Sequence, residues 1–250
     1  MTDPNWDSLL SQVDHRAWPP PVRRWTMTMS WHDLLFAHWP LEPEKLEPLL
    51  PQGLTLDVYE GRAWISVVPF RMTHVGPRGF AHLPLVSSFP ELNVRTYVTA
   101  RDKPGVWFLS LDAASALACA SARMAFHLPY YWARMKTTRD PDGVNYLSER
   151  RLGGPATFVA RYRRLGAAFQ PAPASFEHWL TERYCLYSHA PGVGLQRGEI
   201  HHPPWVLHRA EVEIAQNSMA SAAGVQLPNV SPICHFVDRQ DVVAWTLDTL

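Results

Sequence analysis

Short runs with β-strand character dominate this chain, and helical patterns are rare. Eleven runs bounded by glycine or proline predict strands at 54–59, 63–70, 92–99, 106–111, 134–138, 144–149, 157–162, 183–187, 206–214, 233–237 and 242–247. Glu60 and Gly61 predict a hairpin turn between the first two. Only residues 113–126 and 175–181 look helical in this part of the chain. Because an alternating βαβ fold needs nearly as many helices as strands, we expect a mainly β barrel or sandwich with a few short helices.

The chain is predicted to form one domain behind a short arm. Residues 1–24 combine a brief helical pattern with three consecutive prolines, which is typical of an N-terminal arm. Residues 25–250 contain no glycine/serine linker and no block of charge that would mark a boundary. With 46% hydrophobic residues, this length supplies enough apolar material for one large core.

Charge and cysteine content argue against several classes of function. The 23 basic residues balance the 23 acidic ones, so no overall field favours nucleic acid or an anionic membrane. No apolar run reaches the roughly 18 residues of a membrane span. Three scattered cysteines fit a reducing cytoplasm. We expect a cytoplasmic protein without nucleic-acid or membrane partners, and the 11 tryptophans suggest a homo-oligomer that covers part of its aromatic surface.

No cofactor is predicted, since the chain lacks GxGxxG, GxxxxGK[ST], HExxH and GxSxG motifs. The best metal candidate is the group His201, His202 and His208. Adjacent residues of a strand point to opposite faces, so His201 and His202 could share an ion only if the chain turns there, as Pro203 and Pro204 would permit. Structural histidines are the commoner outcome, and we predict no metal. A metal-dependent hydrolase stays as an alternative.

One predicted strand carries its polar groups on a single face. Glu91, Asn93 and Arg95 alternate with the apolar Leu92 and Val94. A half-exposed strand with its polar face in water would give the same pattern. A large barrel, however, needs inward polar side chains where it encloses a ligand. In that interpretation Glu91 is a catalytic acid or base, and Asn93 and Arg95 bind the ligand.

A second stretch adds aromatic and cationic candidates. Tyr130 and Tyr131 lead into Arg134 and Lys136, which share a face if the segment is extended. Among the lysines, Lys136 is the one predicted to be buried. Desolvation beside a cation would favour its neutral amine, the nucleophile of Schiff-base chemistry. A solvated lysine at a strand edge is the open alternative.

A third stretch follows the second helical pattern. Glu182 and Tyr184 fall on one face, and Arg183 and Cys185 fall on the other. One face is expected to line the pocket, and strand parity alone does not decide which. We take Glu182 and Tyr184 as candidate ligand-binding residues. Cys185 reads as a buried, inert thiol, because nothing in the sequence supplies a paired base.

These stretches, with four others, resemble the DUF2071 (YqjF-like) family, whose own activity is undefined. The four are 34–40 (LLFAHWP), 57–64 (DVYEGRAW), 105–113 (GVWFLSLDA) and 199–205 (EIHHPPW). That family is similar in fold to acetoacetate decarboxylase, a β barrel or cone around a pocket. The enzyme uses a Schiff-base lysine beside a second lysine, and a pocket glutamate. The resemblance places Glu91 at the glutamate, whereas Ala133 and Arg134 stand where the lysine pair would fall.

We therefore expect an acetoacetate-decarboxylase-like protein whose pocket binds, and as an enzyme would transform, a small organic acid or carbonyl compound. Arg95 and Arg134 would anchor a carboxylate. Tyr130 and Tyr131 would form the wall, and Glu91 would act as acid or base, its pKa raised by burial and lowered by the arginines. An enzyme of this kind would be a lyase, decarboxylase-like or acid/base, without a clearly retained Schiff-base lysine. The alternative is a non-catalytic binding protein on the same fold.

Overall fold

Strands make up most of the computed structural model, which describes residues 4–80 and 87–250. The strands are β1 (Met27–Leu41), β2 (Thr55–Leu56), β3 (Ala63–Pro77), β4 (Phe89–Ala100), β5 (Lys103–Ala113), β6 (Tyr130–Asp140), β7 (Gly143–Arg150), β8 (Thr157–Phe169), β9 (Cys185–Ala190), β10 (Gly194–His201), β11 (Leu207–Asn217), β12 (Ile233–Ala244) and β13 (Asp248–Thr249). The α-helices in these ranges are α1 (Ala116–Phe126), α2 (Phe176–Thr181) and α3 (Met219–Ala222), and 3₁₀ turns span Trp6–Ser11, Pro43–Lys45 and Glu47–Leu49. None of these helices has the length and apolar content that a membrane-spanning helix requires.

The 13 strands form one sheet that closes on itself twice. In the larger ring the order is β4, β5, β6, β7, β8, β11, β12, β1 and β3, and β3 pairs again with β4. The smaller ring is closed by β9 and β10, which connect β5 to β12. The rings share β12, β1, β3, β4 and β5. The expected mainly β fold, with a closed sheet and few helices, is confirmed.

The shared strands are buried on both faces because a ring lies on either side of them. From one face, Val67 and Val94 pack with Phe158 in the core of the larger ring. From the other face, Val68 and Phe70 belong to the core of the smaller ring. Strands covered on both sides are typically almost continuously apolar. Buried polar residues of a shared strand, such as Glu91 and Asn93 of β4, therefore face an interior, not water.

Three sequence-based assignments need correction. Glu60 and Gly61 form the predicted turn, closed by two backbone hydrogen bonds between Tyr59 and Arg62. The predicted ladder between the two strands is wrong, because β2 pairs with β4, with Thr55 opposite Thr99. The strands predicted at 233–237 and 242–247 are halves of β12, whose polar middle interrupts the apolar pattern without ending the strand. The pattern missed β1, β10 and β13 as separate strands. β10 (GLQRGEIH) has little apolar alternation to indicate it.

The residues before β1 lie against β10. His15 Nε2 donates to the His202 carbonyl at 3.0 Å. Arg16 Nη1 donates to the Ile200 carbonyl at 2.7 Å, and Trp18 Nε1 donates to Glu199 Oε2 at 2.8 Å. This segment thus covers the strand that closes the smaller ring.

Gly105 lets β5 and β9 approach closely. A Cβ at this position would lie 2.7 Å from both the carbonyl oxygen and Sγ of Cys185. We expect Gly105→Ala to lower the free energy of unfolding by about 1–3 kcal/mol, because the added methyl must displace backbone at the seam of the smaller ring. Urea unfolding measures this loss.

Gly198→Ala is the matched control, since its Cβ would meet only leucine side chains, the nearest being Leu247 Cδ2 at 3.0 Å. Gly198→Ala should lower the free energy of unfolding clearly less than Gly105→Ala does. Equal losses in the two variants would contradict the close approach of β5 and β9.

Candidate functional site

A cavity of about 500 Å³ lies inside the smaller ring. Every strand of that ring contributes side chains to its wall, and α1 lies across it. Three lining residues, Pro77, Ser121 and Ala125, are exposed and mark its opening. Thr181 and Arg183 line it and are buried. The cavity therefore runs from an opening beside α1 to a closed end at Arg183.

Two arginines line the cavity near its closed end. Arg183 is buried and forms an ion pair with Asp57, and its Nε donates to the Trp179 carbonyl at 2.7 Å. Burial lowers its pKa. The Arg95 guanidinium carbon lies 5.1 Å from the ring centre of Phe36. No carboxylate in the described residues forms an ion pair with Arg95, so its charge is uncompensated.

Several buried polar atoms at this end have no partner among the described residues. They are Asn93 Oδ1, Arg95 Nε, Arg183 Nη2 and His202 Nε2, and all four residues line the cavity. Burial lowers the pKa of His202 to about 3, so its ring is neutral at physiological pH. An unsatisfied buried polar group costs about 1–3 kcal/mol. Such a concentration of them makes this end of the cavity the candidate binding site.

Glu91 is a neutral acid farther along the same strand. Its side chain is buried, and Tyr130 donates a hydrogen bond to Oε2 at 3.0 Å. Burial raises its pKa to about 8; the Tyr130 hydrogen bond opposes this shift, and the charge of Asp112 adds to it. The expected lowering of the Glu91 pKa by arginines is wrong, because neither Arg95 nor Arg183 is among the causes of its shift. Glu91 is therefore protonated at neutral pH and able to donate a proton.

The strand pattern of β4 placed its polar residues correctly. Glu91, Asn93 and Arg95 all line the cavity, as does Tyr130 at the start of β6. Their burial follows from the position of β4 between the two rings. That these residues act on a ligand stays a prediction, and their positions are consistent with it.

Arg134 and Lys136 lie outside the cavity, so their predicted placement is wrong. The Arg134 side chain is 71% exposed, and Lys136 is exposed as well. β6 pairs with β5 only from Tyr130 to Trp132 and then continues in the larger ring, where Met135 faces the core and its neighbours face outward. All three lysines lie in described residues, and none lines the cavity. The most buried amine belongs instead to Lys103, which is 2.9 Å from Glu199.

Three other candidates lie behind the wall. The Tyr131 ring packs against the guanidinium of Arg150, with 4.0 Å from its carbon to the ring centre. The Tyr184 hydroxyl donates to Glu182, and its ring stacks on His202 at 4.7 Å. Tyr131, Glu182 and Tyr184 do not line the cavity. Glu182 and Tyr184 can only position residues that do.

Arg183 is the site residue that sequence reasoning left out. The alternation of residues in this stretch left open which of its two faces lines the cavity. In the structure it is the face that carries Arg183. Its partner Asp57 precedes β3 and is remote in sequence, so no local pattern could indicate the ion pair. Cys185, the first residue of β9, is buried, and burial raises the pKa of its thiol to about 12. This thiol is unreactive at neutral pH.

The three candidate metal ligands do not converge. His201 Nε2 donates to the Leu9 carbonyl at 2.9 Å. His202 uses Nδ1 on the Pro203 carbonyl, and His208 lies 3.5 Å from Asp238. Within residues 4–80 and 87–250, no three His, Cys, Asp or Glu side chains are grouped to hold a metal ion. The histidines therefore give no support to a metal-dependent hydrolase.

The fold defines a class of protein. The chain superposes with a TM-score of 0.64 on the enduracididine biosynthesis enzyme MppR with HEPES buffer bound, at 13% identity, covering 93% of this chain and 89% of that one. The acetoacetate decarboxylase of Legionella pneumophila matches with a TM-score of 0.59 at 15% identity, covering 94% and 92%. At these identities the likeness establishes the acetoacetate-decarboxylase-like fold alone.

The family follows from sequence. Residues 28–241 match the DUF2071 family, described as an uncharacterized conserved protein. The uncharacterized protein YqjF of Bacillus subtilis (strain 168) is 45% identical over 223 residues, which is 89% of this chain and 92% of that protein. The chain belongs to the DUF2071 family, as its motifs indicated.

Protonated Glu91 should make stability fall as pH rises. Unfolding returns its pKa from about 8 to the model-peptide value of 4.5. The folded chain therefore holds more protons between these values, and stability decreases with rising pH across this window. Relative to Glu91→Gln, which does not titrate, the wild type should lose a few kcal/mol, on the order of 1.4 per pH unit. Denaturant unfolding at about pH 5 and about pH 8.5 measures the difference. Parallel pH profiles in the two proteins would show that Glu91 is ionised.

Proposed function

We propose that the cavity binds a small organic monoanion, a carboxylic acid that also carries a carbonyl group or an equivalent acceptor. Arg95 would receive the carboxylate, and Glu91 would donate to the carbonyl oxygen. The observation that carries the proposal is the uncompensated Arg95 charge, beside unpartnered polar atoms, in an otherwise apolar cavity. Arg95 is half-buried and its Nε is fully buried; a cation removed from water without an acid is expensive to maintain, and a bound carboxylate would supply the missing charge and hydrogen bonds.

The charges of the cavity favour a ligand with one negative charge. Asp57 compensates Arg183. Glu91 is protonated, because its pKa is raised to about 8, and His202 is neutral, because its pKa is lowered to about 3. One positive charge, that of Arg95, is left without a partner. A dicarboxylate would bring a second charge that the described residues do not match.

Glu91 is the acid of this site, and no lysine amine accompanies it. None of the lysines lines the cavity, so the residues do not support decarboxylation through a Schiff base. A buried, protonated carboxyl can hydrogen-bond to a carbonyl or protonate it as charge develops on oxygen. The same contact without proton transfer would make the protein a binding protein. The fold relatives support the choice of ligand class, since one MppR structure is complexed with pyruvate.

Replacing the unpaired cation should abolish the preference for acids. Arg95→Met removes the charge and keeps an apolar side chain of similar reach. We expect it to weaken binding of monocarboxylates, tested from pyruvate to octanoate, about ten- to a hundredfold, because charge-assisted hydrogen bonds are lost. Isothermal titration calorimetry measures the affinities, with the methyl esters as uncharged comparison ligands.

Arg134→Met is the matched control, since this arginine is 71% exposed and outside the cavity. Its affinities should equal those of the wild type. The proposal fails if acids and esters bind alike, or if the two arginine variants weaken binding equally.

Borohydride reduction checks that no amine takes part. After incubation with pyruvate and borohydride, we expect intact-mass spectrometry to show no ligand-dependent adduct, because Lys136 is outside the cavity and Lys103 is paired with Glu199. A stoichiometric adduct on any lysine would contradict the acid/base assignment.

A further inference from the structure

We infer that the ligand is a medium-chain monocarboxylate, bound with its carboxylate at the closed end beside Arg95 and with its apolar body extending past Glu91 to the opening beside α1. This inference rests on the proposed function and deepens it, because it defines the length and orientation of the ligand. It differs from a site for short keto acids, in which a single small molecule would contact every polar group.

The first support is the separation of the two polar groups. Arg95 and Glu91 are four positions apart on β4, which corresponds to about 13 Å along the strand at about 3.3 Å per residue. The Arg95 guanidinium packs between the rings of Phe36 and Tyr97, with its carbon 5.1 Å and 5.8 Å from the two ring centres. Consistently, no arginine contributes to the pKa shift of Glu91. A ligand as short as pyruvate reaches one of the two groups but not both.

The second support is volume. The cavity measures about 500 Å³, and a water molecule in the liquid occupies about 30 Å³. The space therefore corresponds to about 17 water-sized groups by that measure. Pyruvate, with about six non-hydrogen atoms, would leave most of it to water or empty. A carboxylate of about eight to twelve carbons fills the cavity.

The third support is the chemistry of the wall between the arginines and the opening. Val68, Phe70 and Met72 of β3 lie opposite Asn93, Glu91 and Phe89 of β4, and all six line the cavity. Beyond them, Met27 of β1 pairs with Pro77 at the opening. The side chains along this path are mostly apolar; the polar groups are Asn93, Glu91, the Tyr130 hydroxyl, the Trp31 indole Nε1 and Ser121 at the opening. An apolar chain can follow this wall, whereas a second charged group would meet no partner.

Chain length is the variable that tests the inference. We would titrate butanoate, hexanoate, octanoate and decanoate, each below its micelle concentration, and follow the fluorescence of Trp31 and Trp205, which line the cavity. Affinity should rise about fourfold for each methylene that enters the apolar half, the gain expected from burying one such group. Arg95→Met should weaken binding of butanoate and decanoate by similar factors, because both place their carboxylate at the same point.

A variant that fills the apolar half provides the matched comparison. Ala122 of α1 lines the cavity, and Ala120 of the same helix is exposed and does not. Ala122→Phe should remove the gain beyond hexanoate and leave butanoate affinity unchanged, whereas Ala120→Phe should leave the whole series unchanged. Thermal unfolding of the free proteins confirms that both fold, and Ala122→Leu is the smaller replacement if the phenylalanine destabilises α1.

The outcomes separate the inference from the proposed function. Affinity that depends on Arg95 but does not increase with chain length would overturn the inference and leave the proposed function standing. If Arg95→Met leaves affinity unchanged at every chain length, both the inference and the proposed function are overturned. An unchanged length series in Ala122→Phe would also overturn the inference, because the body of the acid would then lie elsewhere.

Discussion

The strands shared by the two rings impose the constraint on which the site depends. β4 has a ring on each side, so most of its side chains on both faces are buried, and Arg95 is half-buried. One face can be satisfied by apolar packing, but Glu91, Asn93 and Arg95 point into the other interior. Removing ionisable groups from water penalises their charged forms. Each group must therefore lose its charge, find a partner in the protein, or obtain one from a ligand.

The described residues show the first two solutions, and the third is the one we propose for Arg95. Glu91 is neutral because burial raises its pKa to about 8, and Arg183 is compensated by Asp57. Arg95 has no acid partner within the described part of the chain, and neighbouring polar atoms are unsatisfied. The proposed anion would complete the site. The fold resembles that of acetoacetate decarboxylase, and the cavity of this chain is lined by an enclosed acid, Glu91, and by no lysine. This combination is the basis for proposing that the pocket recognises a carboxylate at one end and a carbonyl farther along.

The sequence predicted those parts of the structure that depend on local pattern. The excess of strands over helices indicated the fold class, and the alternation from Glu91 to Arg95 identified a polar face that proved to be internal. The errors arose where partners distant in sequence decide the outcome. Arg134 and Lys136 were placed in the pocket because they follow Tyr130, but β6 leaves the smaller ring after pairing briefly with β5. Arg183 depends on Asp57, more than a hundred residues away, and strand parity could not choose its face.

The central claim is that the cavity is dry enough to keep Glu91 protonated, and infrared difference spectroscopy tests it directly. At about pH 6.5, below its pKa of about 8, the wild type minus Glu91→Gln should show the carbonyl stretch of a protonated carboxylic acid. That band should shift on binding of a carbonyl-containing acid. A difference spectrum with only carboxylate bands would mean that water reaches Glu91, and would contradict the account of the cavity given above.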